Sequence, residues 1–225
     1  METWSPAHIA AIAATAIAAA LPAVGARRGG DRFAVPAGRA LAVLLLGAFG
    51  GEQLTYALRG EWSAQVNLPF QLTDAVTIVA AAALWRRTRQ LVELTYFWAL
   101  TASLQAVLTP DLGRDFPDVL YFTYFGAHSG AVAAACLLVF GERHAPGRGA
   151  AARAYAITAA FAGCAAVATL ATGGNYMFLR RKPAHGSLLD LMGPWPLYIA
   201  AAAVLALMLF AALAALARRF GAPAP

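Results

Sequence analysis

Seven long apolar runs alternate with short loops that carry arginine, near residues 5–25, 36–58, 66–85, 90–109, 117–140, 152–172 and 195–217. A helix needs roughly 20 apolar residues to cross the hydrocarbon core of a bilayer, and each run approaches that length. The pattern predicts an all-α membrane protein, a seven-transmembrane-helix bundle that forms one domain over residues 1–225. The loops are too short for a second domain. The first run resembles a signal peptide near Ala23-Val24-Gly25-Ala26, but signal peptides begin with a basic segment. Here Glu2 precedes the run and Arg27, Arg28 and Arg32 follow it, so a retained helix is expected.

Polar side chains inside such runs carry the information, because an ionisable group in hydrocarbon is costly and by default faces the bundle interior or a wet cavity. The second run holds Glu52 and Gln53 just after Gly50-Gly51, a pair that permits a kink or a close neighbour. The third run starts at Leu68-Pro69-Phe70 and presents Gln71, Thr73, Asp74 and Thr77 on one broad face. If the helix begins with the run, Asp74 lies roughly 12 Å below its outer start. The fourth run spaces Thr101, Gln105 and Thr109 at i, i+4 and i+8, and the fifth spaces Tyr121, Tyr124 and His128 at i, i+3 and i+7. All these positions converge on the outer half of the bilayer. Gly126 and Gly130 form a G-x-x-x-G packing seam, but His128 points about 200° away from either glycine.

Composition agrees with the pattern. The chain is 60% hydrophobic and 12% charged, with a mean hydropathy of +0.62, whereas a soluble domain is about 25% charged. Arg27, Arg28, Arg32, Arg39, Arg86, Arg87, Arg89, Arg143, Arg148, Arg153, Arg218 and Arg219 fall on one side of a seven-helix arrangement. Arg59, Arg114, Arg180, Arg181 and Lys182 fall on the other, twelve against five. By the positive-inside rule the N-terminus is outside and the C-terminus cytoplasmic, in a multi-pass protein of the cell membrane. The net charge of +6 is then a topology signal, and no nucleic-acid partner is expected. Cys136 and Cys164 lie inside apolar runs as small packing residues, no C-x-x-C spacing exists, and no metal or cofactor is expected.

These residues leave several chemistries open. Asp74 and His128, with Glu52 at similar depth, suit a proton-handling group. Thr73 becomes a nucleophile only with a base within reach; otherwise a membrane threonine bonds the carbonyl four residues earlier. After Asn175-Tyr176, the Arg180-Arg181-Lys182 cluster either grips a lipid phosphate or anchors the interface with side chains that reach water.

Three stretches carry a resemblance: Leu68-Pro-Phe-Gln-Leu-Thr-Asp74, Tyr96-Phe-Trp through Leu108-Thr-Pro-Asp111, and Asn175-Tyr-Met-Phe-Leu-Arg-Arg-Lys-Pro183 with Ser187-Leu-Leu-Asp190 and Gly193-Pro-Trp-Pro196. Over about 36–215 the chain resembles the bacterial YwaF family of integral membrane proteins, an assignment the Ala-rich, arginine-over-lysine composition suits. It is more distantly similar to the transmembrane protein 164 acyltransferases and the androgen-induced fatty-ester hydrolases. The resemblance implies that His128 corresponds to the histidine of the fifth-helix motif. Many YwaF-like sequences carry His-x-Cys-Asp where this chain has Gln71-Leu72-Thr73-Asp74. That departure argues against a thiol nucleophile and leaves a Thr/His arrangement.

The leading expectation is lipid acyl-ester hydrolysis or acyl transfer in an outer-leaflet cavity, with a membrane lipid as partner. Thr73 attacks, His128 takes the proton and Asp74 or Glu52 orients the imidazole. Gln71, Gln105, Tyr124, Asn175, Tyr176, Arg180 and Arg181 are the expected substrate-binding residues. The alternatives are a proton- or cation-coupled transporter, channel or small-molecule sensor using Glu52, Asp74 and His128, and a non-catalytic membrane scaffold.

Overall fold

The computed structural model describes residues 3–184 and 186–220; Glu2, the acidic flank of the first run, lies outside them. The described chain is helical: α1 Pro6–Gly29, α2 Asp31–Leu58, α3 Leu72–Arg86, α4 Arg89–Leu108, α5 Val119–Gly141, α6 Ala150–Thr172 and α7 Leu197–Phe220. Two short turns of 3₁₀ helix, Tyr176–Phe178 and Leu188–Met192, fold the segment between α6 and α7. Six of the helices are long and apolar enough to cross a membrane. The chain is a multi-pass membrane protein.

The exception is α3. Its 15 residues extend about 22 Å at 1.5 Å per residue, short of the roughly 30 Å hydrocarbon core. The sequence predicts this helix from residue 66, and the correction has a local cause. The residue before a proline is pushed out of the helical region, which excludes Leu68 and so prevents a helix from running through Pro69 from residue 66. The chain instead descends through a turn, with Asn67 Oδ1 accepting from the Ser63 N–H at 2.9 Å, and α3 starts only after Gln71, whose ψ of 141° is extended. Asp74 is therefore a first-turn residue of α3, where the helix dipole favours an acid.

The core lies where α2, α3, α4, α5 and α7 meet. Leu45, Val76, Leu84, Tyr96, Phe97, Leu137, Leu138 and Phe210 are buried there. Tyr96 donates to the Leu213 carbonyl at 3.0 Å, which fastens α7 to the bundle. Most of the remaining α7 surface is apolar and faces outward, including Val204, Leu207 and Leu216. Gly126 and Gly130 turn toward α2: a methyl group at Gly130 would sit 2.9 Å from Leu45, and one at Gly126 3.4 Å from Ala48. The seam therefore packs α5 on α2 while His128 points elsewhere.

Two helices change pitch. In α4 the segment Ala99–Ser103 is a π-turn, and the Leu104 N–H donates to the Ala99 carbonyl, five residues back. In α5 a second π-turn covers Leu137–Gly141, beyond which the Glu142 N–H donates to Leu137 at 2.8 Å.

At that end of the bundle, two carboxylates are fully engaged. Glu142 takes a fork from Arg87, at 2.8 Å from Nε and 2.9 Å from Nη2, and meets His144 at 3.4 Å. Glu93 takes Arg153 Nη2 at 2.7 and 2.8 Å, Arg89 Nε at 2.9 Å and the Gly147 N–H at 3.3 Å. These pairs bind the α3–α4 turn, the end of α5 and the start of α6 to one another.

Candidate functional site

At the opposite end a cavity of about 570 Å³ opens among α2, α3, α4, α5 and α7. Its polar wall carries Glu52, Asn67, Gln71, Thr73, Asp74, Thr101, Gln105, Tyr124 and His128. Its apolar wall comes from α7, through Ala202, Leu205, Ala206 and Leu209, and from Phe178, Leu188, Leu189 and Met192 of the intervening segment. The four residues expected to do chemistry, Thr73, Asp74, His128 and Glu52, thus share one cavity although three helices supply them.

Thr73 differs from the other helical threonines. Thr15, Thr55, Thr77, Thr95, Thr101, Thr158 and Thr172 each donate to the carbonyl four residues earlier, at 2.6–2.9 Å, which satisfies the hydroxyl locally. Thr73 is the second residue of α3, and four residues before it stands Pro69, outside the helix. Among the described residues its hydroxyl has no protein partner, and it lines the cavity.

His128 is 7% exposed. Its ring packs edge-on against Tyr124, centroids 4.2 Å apart, and Nδ1 is buried with no hydrogen-bond partner. Buried polar atoms are nearly always paired, so this orphan calls for an explanation. The expected orientation of the imidazole by Asp74 or Glu52 is absent from the structure, since no hydrogen bond joins either carboxylate to the ring. Neither does one join Thr73 to His128. Tyr124 donates to the Ala106 carbonyl at 3.0 Å, which fixes the ring that holds the histidine.

Glu52 and Asp74 face the same cavity, and among the described residues neither is in an ion pair; the Asp74 carboxylate accepts from the Gln71 backbone N–H. Among the described residues no lysine or arginine lines the cavity, and Asp111 is a third acid in its wall. Among the described residues no group of three or more His, Cys, Asp or Glu side chains gathers as a metal site would require.

The expected binding residues divide. Gln71 lines the cavity, and its Oε1 accepts from the Met177 N–H at 2.8 Å, which leaves its Nε2 hydrogens for the interior. Gln105 also lines the cavity and donates to Thr109 at 2.7 Å. Asn175, Tyr176, Arg180 and Arg181 lie outside the lining. Asn175 organises its own loop, accepting from the Arg180 and Arg181 N–H groups at 3.0 Å each and donating to the Arg181 carbonyl at 2.8 Å. Tyr176 is fully buried. Its hydroxyl donates to the Ala64 carbonyl at 2.6 Å and accepts from the Leu68 N–H at 3.1 Å, so it pins the descent into α3. Arg180 reaches the Gly173 carbonyl at 3.3 Å, and Lys182 sits 3.8 Å from Asp190.

The phenol ladder expected along α5 also splits. Tyr121 donates to the Ala7 carbonyl of α1 at 2.7 Å and lines a separate, more open groove between α1 and α5 of about 840 Å³, whose wall is mostly alanine and phenylalanine. Asn67 and the α7 wall are cavity residues that the sequence does not single out, and Phe178 and Leu188, although inside the stretches that carry the resemblance, are not among the expected binding residues. Ordinary apolar residues in apolar helices give no signal, and Asn67 stands in a turn with no periodicity.

Neither the curated proteins nor the solved structures give a match, whereas the family model described as the TMEM164 family matches residues 3–214. With nearly the whole chain matched, this protein belongs to the TMEM164 family.

Proposed function

We propose that the protein is a lipid acyl-ester enzyme, a hydrolase or acyltransferase of YwaF type, with Thr73 as nucleophile and His128 as base. One observation carries the reading: within a single cavity, a helical threonine hydroxyl and a buried imidazole both lack protein partners. Membership of the TMEM164 family supports it. The hydroxyl attacks the ester carbonyl, forming an O–C bond, and its proton passes to His128. Collapse breaks the bond to the leaving alcohol, which takes that proton. The acyl-threonine is then resolved by water in hydrolysis or by a lipid hydroxyl in transfer. A nucleophile and base that are apart without substrate can close on it in the complex. Gln71 Nε2, in the same wall, is assigned as the donor to the developing oxyanion.

In this reading the chain crosses the cell membrane seven times, N-terminus outside, with α3 and its extended lead-in forming one passage. Irregular backbone at membrane depth is tolerated where it lines a cavity or is buried in protein; here Val66, Asn67 and Gln71 line the cavity, and Leu68 and Phe70 pack against Tyr176 and α6. The cavity then opens toward the outer leaflet, where a membrane lipid supplies the ester.

The test is turnover of lipid esters by purified protein, with Thr73→Ala, Thr73→Ser and His128→Ala compared. Loss of about 10²–10⁴-fold is expected for His128→Ala, similar loss for Thr73→Ala and partial recovery for Thr73→Ser. Turnover unchanged in Thr73→Ala overturns the assignment. The unpaired Glu52 and Asp74 favour a second reading, proton- or cation-coupled transport, which expects pH-dependent flux in proteoliposomes and indifference to Thr73→Ala.

A further inference from the structure

The charge of the cavity wall has a chemical meaning that the acyl-ester reading does not use. Glu52 and Asp74 line the cavity with Asp111, and among the described residues no arginine or lysine does. Basic groups around it are committed elsewhere, Arg59 to Asp118, Arg114 to Glu61, Arg180 to the Gly173 carbonyl, and Lys182 beside Asp190 and over the Tyr198 ring. His128, nine-tenths buried, adds an unpartnered nitrogen within the same wall. A wall that offers carboxylates and no cation repels a phosphate or carboxylate and attracts a positive charge. Phe49, Tyr56 and Tyr124 also line the cavity, and aromatic faces accept ammonium groups. The apolar α7 wall supplies the complement for a hydrocarbon chain.

We propose that this cavity selects an amphiphile whose polar part carries an ammonium group, seated between Glu52 and Asp74 with its chain along Leu205 and Leu209. The inference rests on the acyl-ester reading for its orientation, since an ester carbonyl then lies toward Thr73. It assigns the polar contact of the substrate to the two acids and none to the basic loop at Arg180–Lys182.

The experiment measures binding and needs no turnover. Detergent-solubilised protein is titrated with three single-chain oleoyl lipids of different headgroup charge: oleoylcholine, monooleoylglycerol and oleoyl lysophosphatidic acid. The expected result is a preference of about tenfold or more for oleoylcholine over the neutral lipid, with lysophosphatidic acid weakest. In Glu52→Gln/Asp74→Asn the preference falls to near unity while monooleoylglycerol binding persists, which shows that the variant is folded. Tetramethylammonium displaces oleoylcholine only at far higher concentration. Equal affinities in the wild type, or a preference unchanged in the double variant, overturn the proposal. Displacement by tetramethylammonium at concentrations matching oleoylcholine also overturns it, because the occupant is then a soluble cation. A wild type without headgroup selectivity but with ester turnover defeats this inference and leaves the Thr73 and His128 reading standing; a selective wild type without ester turnover defeats that reading alone.

Discussion

The two ends of the bundle treat acidic side chains in opposite ways. At one end Glu93 and Glu142 are almost fully buried, and each is saturated by guanidinium forks and neighbouring donors. At the other end Glu52 and Asp74 stand in a cavity with no cation, beside a histidine nitrogen and a threonine hydroxyl that bond to nothing in the protein. A carboxylate that stabilises a fold is completed by its neighbours, because a buried unpaired charge is costly. One left incomplete is held in place by the rest of the structure and is free for another molecule.

The comparison breaks most sharply on neutralisation of one acid at each end. Glu93→Gln strands Arg153 and Arg89 without their shared carboxylate, and a loss on the order of 3 kcal/mol is expected, read as a lower thermal midpoint in detergent. Glu52→Gln removes a charge that has no partner, so the midpoint stays level or rises. If Glu52→Gln destabilises as strongly as Glu93→Gln, the contrast between the ends is false.

A smaller effect is expected at Tyr176. Its hydroxyl holds the Ala64 carbonyl and the Leu68 N–H, so Tyr176→Phe orphans both and costs about 1–3 kcal/mol. Hydrogen exchange at Leu68 should rise before exchange in the core of α3. Unchanged exchange there shows that the lead-in is held by packing alone.

The smallest effect concerns Asp118, the N-cap of α5, which lies outside the apolar spans. The Leu120 N–H, at 2.8 Å, and then Arg59 hold its carboxyl below the usual aspartate range. A depressed folded pKa adds stability above the unfolded value and loses it as pH falls through the folded one. Asparagine also caps well, so Asp118→Asn isolates the charge. The variant should be slightly less stable than wild type near neutrality, with the difference starting to shrink below pH about 4 and vanishing only as pH falls through the lower folded value. A difference that persists in acid assigns the effect to cap geometry.

Much of this architecture is legible in the sequence because hydrocarbon punishes polarity. Helices α1, α2 and α4 to α7 follow the apolar runs, and Glu52, Asp74 and His128 stand out as ionisable groups within them. Depth could not be read so simply. Pro69 moves the start of α3 to Leu72, which turns Asp74 from a mid-helix residue into a first-turn one. The basic triplet at Arg180–Lys182 is conspicuous in sequence, yet which partners it meets depends on how Asn175 folds the loop. The α7 wall was invisible for the opposite reason: Leu205 and Leu209 read like any lipid-facing leucine.

The widened turn at Ala99–Ser103 lets α4 serve two masters. Below it, Tyr96 and Phe97 are locked into the core; beyond it, Gln105 and Thr109 face the cavity. One surplus residue in a helix sets the angular phase of everything that follows, and excising it would swing the distal half by about 100°. A single-codon deletion there would rotate Gln105 out of the wall while leaving the aromatic anchor in register.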